Sequence, residues 1–326
     1  MSWLVTGGSG YIGAHVVDAL AARGEQSVVL DDFSTGEQGR TGDAVVVEGS
    51  ILDQDLVRRT IKDNSVRGII HIAAKKQVGE SVADPLKYYR ENVVGTIGLL
   101  QAAVDTGVES FVFSSSAATY GMPADLDIVT EDAPTAPMSP YGTSKLIGEW
   151  AARDVAAATG LRVISLRYFN VAGAARPELG DPGVFNLIPM AFERIVAGEA
   201  PRIFGDDYPT PDGTCVRDYI SVVDIADAHV AALEDLVAGT GSTGMGATYR
   251  VFNIGRGEGS SVREVLDTVA KVTGNDIEPV VVERRPGDPA RIVASADRIR
   301  SELGWSAKHD LEDMVASAWA GWRHRH

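Results

Sequence analysis

The chain has 326 residues and one cysteine, Cys215. A lone thiol cannot close an internal disulfide, which fits a reducing compartment. It also excludes the multi-thiolate cages that hold structural zinc. Histidine is sparse as well, and the sequence points to no metal site. The tail Arg323-His324-Arg325-His326 reads as a frayed polar end. No stretch approaches the roughly 18 apolar residues of a membrane span, so no membrane partner is expected. The opening Met1-Ser2-Trp3-Leu4-Val5 lacks a basic region followed by a long apolar one. It reads as a strand, and the expectation is a cytoplasmic protein without a leader. Positive charge is short: 30 Lys and Arg face 45 Asp and Glu, a net charge of -15. Such a field repels phosphate backbones, so nucleic acid is not an expected partner. A small anion remains open wherever cations converge locally. The 35 glycines follow no collagen period. With 44% hydrophobic and 23% charged residues, the composition is that of an ordinary globular chain.

Strand patterns at residues 3–6, 27–30, 44–48, 68–72, 110–114 and 161–168 alternate with helical ones at 11–23, 53–63, 84–106 and 140–158. This alternation predicts a doubly wound α/β fold with a parallel Rossmann sheet. Val45-Val46-Val47 is apolar without alternation, as in a strand covered on both faces. After Asn170 the rhythm changes. Loop-rich stretches at 173–183 and 205–213 are followed by helical patterns at 184–197, 222–238, 261–272 and 311–322. Residues 1–170 are expected to form a dinucleotide-binding domain, to which later segments can return. Residues 171–326 are expected to form a smaller α+β substrate lobe.

Thr6-Gly-Gly-Ser-Gly-Tyr-Ile-Gly13 follows the first strand and opens the first helix. Gly7 suits the tight turn, Gly10 the approach of a pyrophosphate, and Gly13 the packing of helix on strand. Asp31 ends the second strand, 18 residues beyond Gly13, and Asp32 follows it. A carboxylate there accepts from ribose hydroxyls and repels a 2′-phosphate, so NAD is the expected cofactor. Tyr141 and Lys145 lie four apart at the start of a helical pattern and share a face. A neighbouring ammonium, together with a nicotinium, is expected to lower the phenol pKa and prepare Tyr141 as a base. The strand at 110–114 runs into Ser114-Ser115-Ser116, at the end of the sheet where ligands bind.

The stretches TGGSGYIG, SSSAATYG and YGTSK together resemble the extended short-chain dehydrogenase/reductase superfamily. The resemblance implies that Ser116, Tyr141 and Lys145 act together. Nucleotide-sugar dehydratases of that superfamily carry Asp-Glu after the serine or threonine. Here Ala117 and Ala118 stand there, and neither can transfer a proton. Lys76-Gln-Val-Gly-Glu-Ser81, Arg167-Tyr-Phe-Asn170, Gly205-Asp-Asp-Tyr-Pro-Thr-Pro-Asp-Gly-Thr214 and Val216-Arg-Asp-Tyr-Ile220 are similar to the UDP-glucose 4-epimerase family, nearly end to end.

That similarity implies a C4 epimerase of UDP-sugars. The family also implies a homodimer, built through the helices at 84–106 and 140–158. It places Gly7, Gly10, Tyr11, Ile12, Gly13, Asp31 and Asp32 against NAD. Ser50, Ile51, Ile72, Ala73, Ala74, Lys76, Asn92 and Tyr168 complete the cofactor set, with Tyr141 and Lys145. On the substrate side it implies Lys76, Ser116, Tyr141, Phe169, Asn170, Asn186, Leu187 and Phe204. Arg217 and Arg285 would neutralise a pyrophosphate, and Asp288 would accept from a uridine ribose. Ile292 occupies the position that limits sugar size. Two departures stand out: Ser50 replaces an aspartate common in the family, and Cys215 replaces a glycine. Cys215 is assigned no role. Acceptance of N-acetylated or pentose UDP-sugars stays open, as does a non-catalytic dinucleotide-sensing protein.

Overall fold

The strand-helix alternation folds in the computed structural model as the pattern predicts. The structure describes residues 2–122, 128–239, 248–275, 278–285 and 288–326. Five apolar strands are β1 (Ser2–Thr6), β2 (Ser27–Asp31), β3 (Val45–Glu48), β4 (Val66–His71) and β5 (Ser110–Ser116). With β6 (Arg162–Tyr168) and β10 (Tyr249–Ile254) they form one parallel sheet, in the order β10-β6-β5-β4-β1-β2-β3. The order reverses between β1 and β4. The carboxyl ends of these two strands therefore open a crevice, the usual ligand position in such sheets.

Alternate residues of each strand feed two cores. Val5, Val29, Ile70 and Val112 pack with Val16 and Leu20 of α1 (Tyr11–Ala22) and Leu233 of α8 (Val222–Ala238). Their neighbours Leu4, Leu30, Ile69 and Phe111 pack on the other face. There they meet α2 (Gln54–Asp63), α5 (Gly95–Thr106) and α6 (Pro140–Thr159). Each fully buried side chain of this size contributes roughly 1.5–3 kcal/mol.

Three local expectations are corrected. Strand β3 is not covered on both faces: it is the sheet edge, and Val45 and Val46 are exposed. The pattern 84–106 is not one helix. It divides into α4 (Pro85–Tyr88), a π-helical turn (Tyr89–Val94) and α5, after a separate α3 (Val78–Ala83). Asp84 accepts from the Lys87 amide at 3.3 Å and Pro85 takes the first turn, so a new helix starts there. The tail is helical rather than frayed. The last helix, α11 (Leu311–Arg325), ends with Arg325 paired to both oxygens of Glu37, at 2.6 and 2.8 Å.

In the remaining chain β9 (Val216–Ser221) pairs with β7 (Asn170–Ala172), β11 (Gly259–Ser261) and β13 (Arg291–Ile292), while β8 (Arg202–Phe204) pairs with β12 (Val280–Val282). Helices α7 (Leu187–Val196), α9 (Val262–Thr273) and α11 close a third core around Phe192, Val265 and Met314. A capping box forms at Ser261 and Glu264. A short α10 (Asp297–Leu303) returns to pack near β10 and α8. Among the described residues no helix is long and apolar enough to cross a membrane.

Candidate active site

The crevice at the switch point is a cleft of about 1650 Å³, counted with its open mouth. Its floor is the glycine loop after β1. Gly7 has φ +72° and sits so close to the β4 loop that a Cβ would press on the Ala73 backbone at 2.7 Å. A Cβ at Gly13 would run into the Gly7 carbonyl. The loop and α1 thus pack backbone to backbone. Gly10 is the N-cap of α1 and has no side chain to cap it. The first-turn N–H groups stay available to a phosphate, with the helix dipole behind them. This cradle fits a dinucleotide.

Asp31 closes one end of the cleft. Its carboxylate accepts from the Ser9 and Phe33 amides, both at 2.9 Å, so it also fixes the glycine loop. Burial pushes its pKa up against those two bonds. Asp32, Ser50, Ile51, Ile72, Ala73, Ala74 and Lys76 line the same cleft, with Tyr11, Ile12 and Tyr168. The Ser50 hydroxyl accepts from the Leu52 amide at 3.2 Å. Tyr11 reaches out of α1 to donate to the Gly173 carbonyl, which ties the glycine loop to the second half of the chain.

The opposite wall carries the reactive trio. Ser139 caps α6, its Oγ accepting from the Gly142 amide at 3.2 Å, and Pro140 takes the first position. The helix therefore presents Tyr141 and Lys145 one turn apart, both lining the cleft with Ser116. Ser116 ends β5, and its Oγ accepts from the Ala118 amide at 3.2 Å. Lys145 Nζ donates to the Ser114 carbonyl at 2.8 Å.

The electrostatics differ from expectation. Burial raises the Tyr141 pKa, and the Ser116 hydrogen bond opposes it. Burial also lowers Lys145 to about 7, against the charge of Glu149. In the protein alone, loss of solvent at the phenol outweighs the Ser116 hydrogen bond.

Several participants have no local signal in the sequence. Glu149, one turn beyond Lys145, is buried and paired with Arg167 of β6. Arg167 Nε donates at 2.8 Å and Nη2 at 2.5 Å, and Ser115 donates to the same carboxylate. The spacing Tyr141, Lys145, Glu149 hints at a common helix face, but the partner comes from another strand. Lys75 and Ser34 also line the cleft. Asn92 and Ile292 are not among the described residues that line either cleft. Asn92 is buried in the π-helical turn, bonded to the Lys75 backbone and to Ser144. Ile292 packs against a cluster around Tyr120, Val129 and Phe169.

A second cleft shares Asn170 and Asn186 with the first, so the two meet. Phe169 lines the first. Leu187, Phe204, Arg217, Arg285 and Asp288 line the second, with Cys215 beside them. The Arg285 guanidinium lies 3.7 Å from the Phe204 ring centre, a stacked cation. Arg217 Nη2 is 3.4 Å from Asp288 Oδ1. Pro286 and Gly287, between Arg285 and Asp288, lie outside the described residues. Arginines thus converge in a chain of net negative charge.

Residues 3–255 match the model of the NAD dependent epimerase/dehydratase family. The UDP-glucose 4-epimerase of Azospirillum brasilense is 47% identical over 98% of this chain and 91% of its own. The chain belongs to this family, among its UDP-glucose 4-epimerases. The crystal structure of UDP-glucose-4-epimerase from Stenotrophomonas maltophila, with bound NAD and formylated UDP-arabinopyranose, superposes with a TM-score of 0.93. It is 39% identical and covers 100% of this chain and 98% of its own. The Bifidobacterium longum UDP-glucose 4-epimerase, solved with NAD+ and UDP, gives 0.88 at 37% identity, over 99% and 98% of the two chains. The family spans epimerases and dehydratases. Ala117 and Ala118 line the cleft directly after Ser116 and carry no proton to give, which favours epimerisation.

Proposed function

We propose that this protein interconverts UDP-glucose and UDP-galactose by inverting the sugar at C4, with NAD held in the first cleft and UDP in the second. What carries this reading is the convergence of Ser116, Tyr141 and Lys145 on a glycine-loop cleft that opens into an arginine-lined one. Gly7, Gly10 and Gly13 hold the pyrophosphate of the dinucleotide, and Asp31 takes the adenosine ribose. Bound NAD supplies reversible hydride transfer. Tyr141 removes the proton of the 4-hydroxyl and later returns it. Ser116 holds the same oxygen, and Lys145 supports the phenolate. Arg217 and Arg285 neutralise the diphosphate with Asn170 and Asn186 beside it. The UDP is gripped while the sugar end stays free to turn over, which inversion requires.

In this reading residues 1–170 form the cofactor half, with α8 and β10 returning to it, and residues 171–326 supply the substrate lobe. The protein works as a cytoplasmic homodimer. Supporting the dimer, Val82 and Leu86 on α3 and α4, Val94 and Ile97 around the start of α5, and Trp150 on α6 are large apolar side chains exposed to solvent. The helices that carry them touch α6, so a second copy could cover these side chains together.

The test is direct. Purified protein is incubated with UDP-galactose and no added NAD, and the nucleotide sugars are separated. UDP-glucose is the expected product. None forming, even with NAD supplied, would sink the hexose assignment and make UDP-N-acetylgalactosamine the next substrate to try.

A further inference from the structure

Lys75 follows β4 and Ser34 follows β2, while the glycine loop follows β1, which lies between those strands in the sheet. Any contact between Lys75 and Ser34 must therefore reach across the carboxyl end of β1. The contact exists. Lys75 Nζ donates to Ser34 Oγ at 2.6 Å and lies 4.0 Å from Asp32 Oδ2. Ser34 is set to accept it, because its own amide and hydroxyl both donate to Asp32 Oδ1, at 2.9 and 2.6 Å. Lys75, Ser34 and Asp32 line the same cleft as Gly7, Gly10 and Gly13.

The lysine end of this bridge is anchored. The Lys75 amide donates to Asn92 Oδ1 at 2.8 Å, and its carbonyl accepts from Asn92 Nδ2 at 3.0 Å. Asn92 is buried and bonded to Ser144 of α6, one residue from Lys145. The backbone under Lys75 is thus held by the helix that carries the reactive pair, and the side chain alone is free to swing. The Ser34 end is set by its Asx-type turn on Asp32.

We propose that the Lys75–Ser34–Asp32 bridge is a strap across the dinucleotide cleft, with Lys75 acting as a retention residue that slows the escape of bound NAD. The inference rests on the NAD-dependent reading above. A dinucleotide seated on the glycine loop lies beneath this link and leaves by breaking it. The bond is charge-assisted, but the lysine is partly exposed and screened, so its worth is modest. Loss of the strap is expected to speed NAD release by about three- to tenfold.

The experiment uses full-length protein loaded with radiolabelled NAD and chased with excess unlabelled NAD, retained label being counted over time. Lys75→Met keeps the apolar stem, Ser34→Ala keeps the ammonium, and the double variant lacks both. Each single variant is expected to release label faster, and the double no faster than the singles, because all three break the same Lys75–Ser34 link. UDP affinity, measured by calorimetry, stays at the parent value. Parent-rate release from Lys75→Met overturns the strap. So does fast release from Lys75→Met with parent-rate release from Ser34→Ala, since the ammonium would then act as a loose charge. A double variant clearly faster than both singles also overturns it, as does a general fall in UDP affinity. If neither the parent nor any variant retains label, the NAD-dependent reading itself is overturned and the strap with it.

Discussion

Proton affinity at the reactive trio is governed by burial. Tyr141 is pushed up and Lys145 down to about 7, so near neutral pH the lysine is divided between ammonium and amine. A rise in pH through 7 removes the ammonium of Lys145 from the site, and the charge of Glu149 opposes that loss. Tyr141→Phe keeps the ring and its packing but deletes the group that holds the proton. Turnover of UDP-galactose is expected to fall by about 10²–10⁴-fold, while UDP affinity stays near the parent value. Retention of more than a few percent of parent turnover, in a coupled assay, would remove Tyr141 from its assigned role. These residues are legible in the sequence because their signals are local: a glycine loop, a pair four apart, a serine at a strand end. Glu149 and Lys75 are not legible in the same way. Their partners, Arg167 on β6 and Ser34 in the loop after β2, come from elsewhere in the chain, and only the folded sheet brings them together.

Elements were legible where one period ran unbroken. The parallel strands β1 to β6 and helices α1, α6 and α8 follow their patterns closely, whereas β10, the seventh strand of the sheet, is not among the expected strands. The π-helical turn at Tyr89–Val94 has the same apolar spacing as a regular helix over so short a span, so nothing in the pattern announces it. The exposure of β3 depends on its place at the edge, a property of sheet order rather than of Val45-Val46-Val47. Helix α6 is locked to β6 by the buried Glu149–Arg167 pair. Glu149→Ala strands the Arg167 charge in the interior and is expected to lower unfolding free energy by about 3–5 kcal/mol. Replacing both partners with apolar residues of similar volume should recover most of that loss. Urea melts of the three proteins measure it, and a single variant as stable as its parent would mean that water reaches Arg167.

At the scale of the whole molecule, the exposed apolar side chains of α5 and α6 lie on helices in contact with each other. In the proposed homodimer, burying them against a symmetry mate would give a four-helix interface. Ile97→Glu combined with Trp150→Glu places charge in that interface and is expected to yield a monomer in sedimentation equilibrium. A dimer surviving both changes would move the contact elsewhere.

The last strand of the central sheet also sets an order of events. Strand β6 pairs with β5 on one side and with β10 on the other, and β10 is not complete until residue 254. During synthesis the ribosome must deliver more than eighty residues after β6 before that edge can be covered, and α8 arrives within the same interval. Until then a growing chain leaves β6 as an unpaired edge and leaves bare the part of the sheet face that α8 covers, features that invite misassembly with a neighbouring copy. A fragment ended at residue 170 would keep both permanently, however complete its glycine loop and its reactive trio.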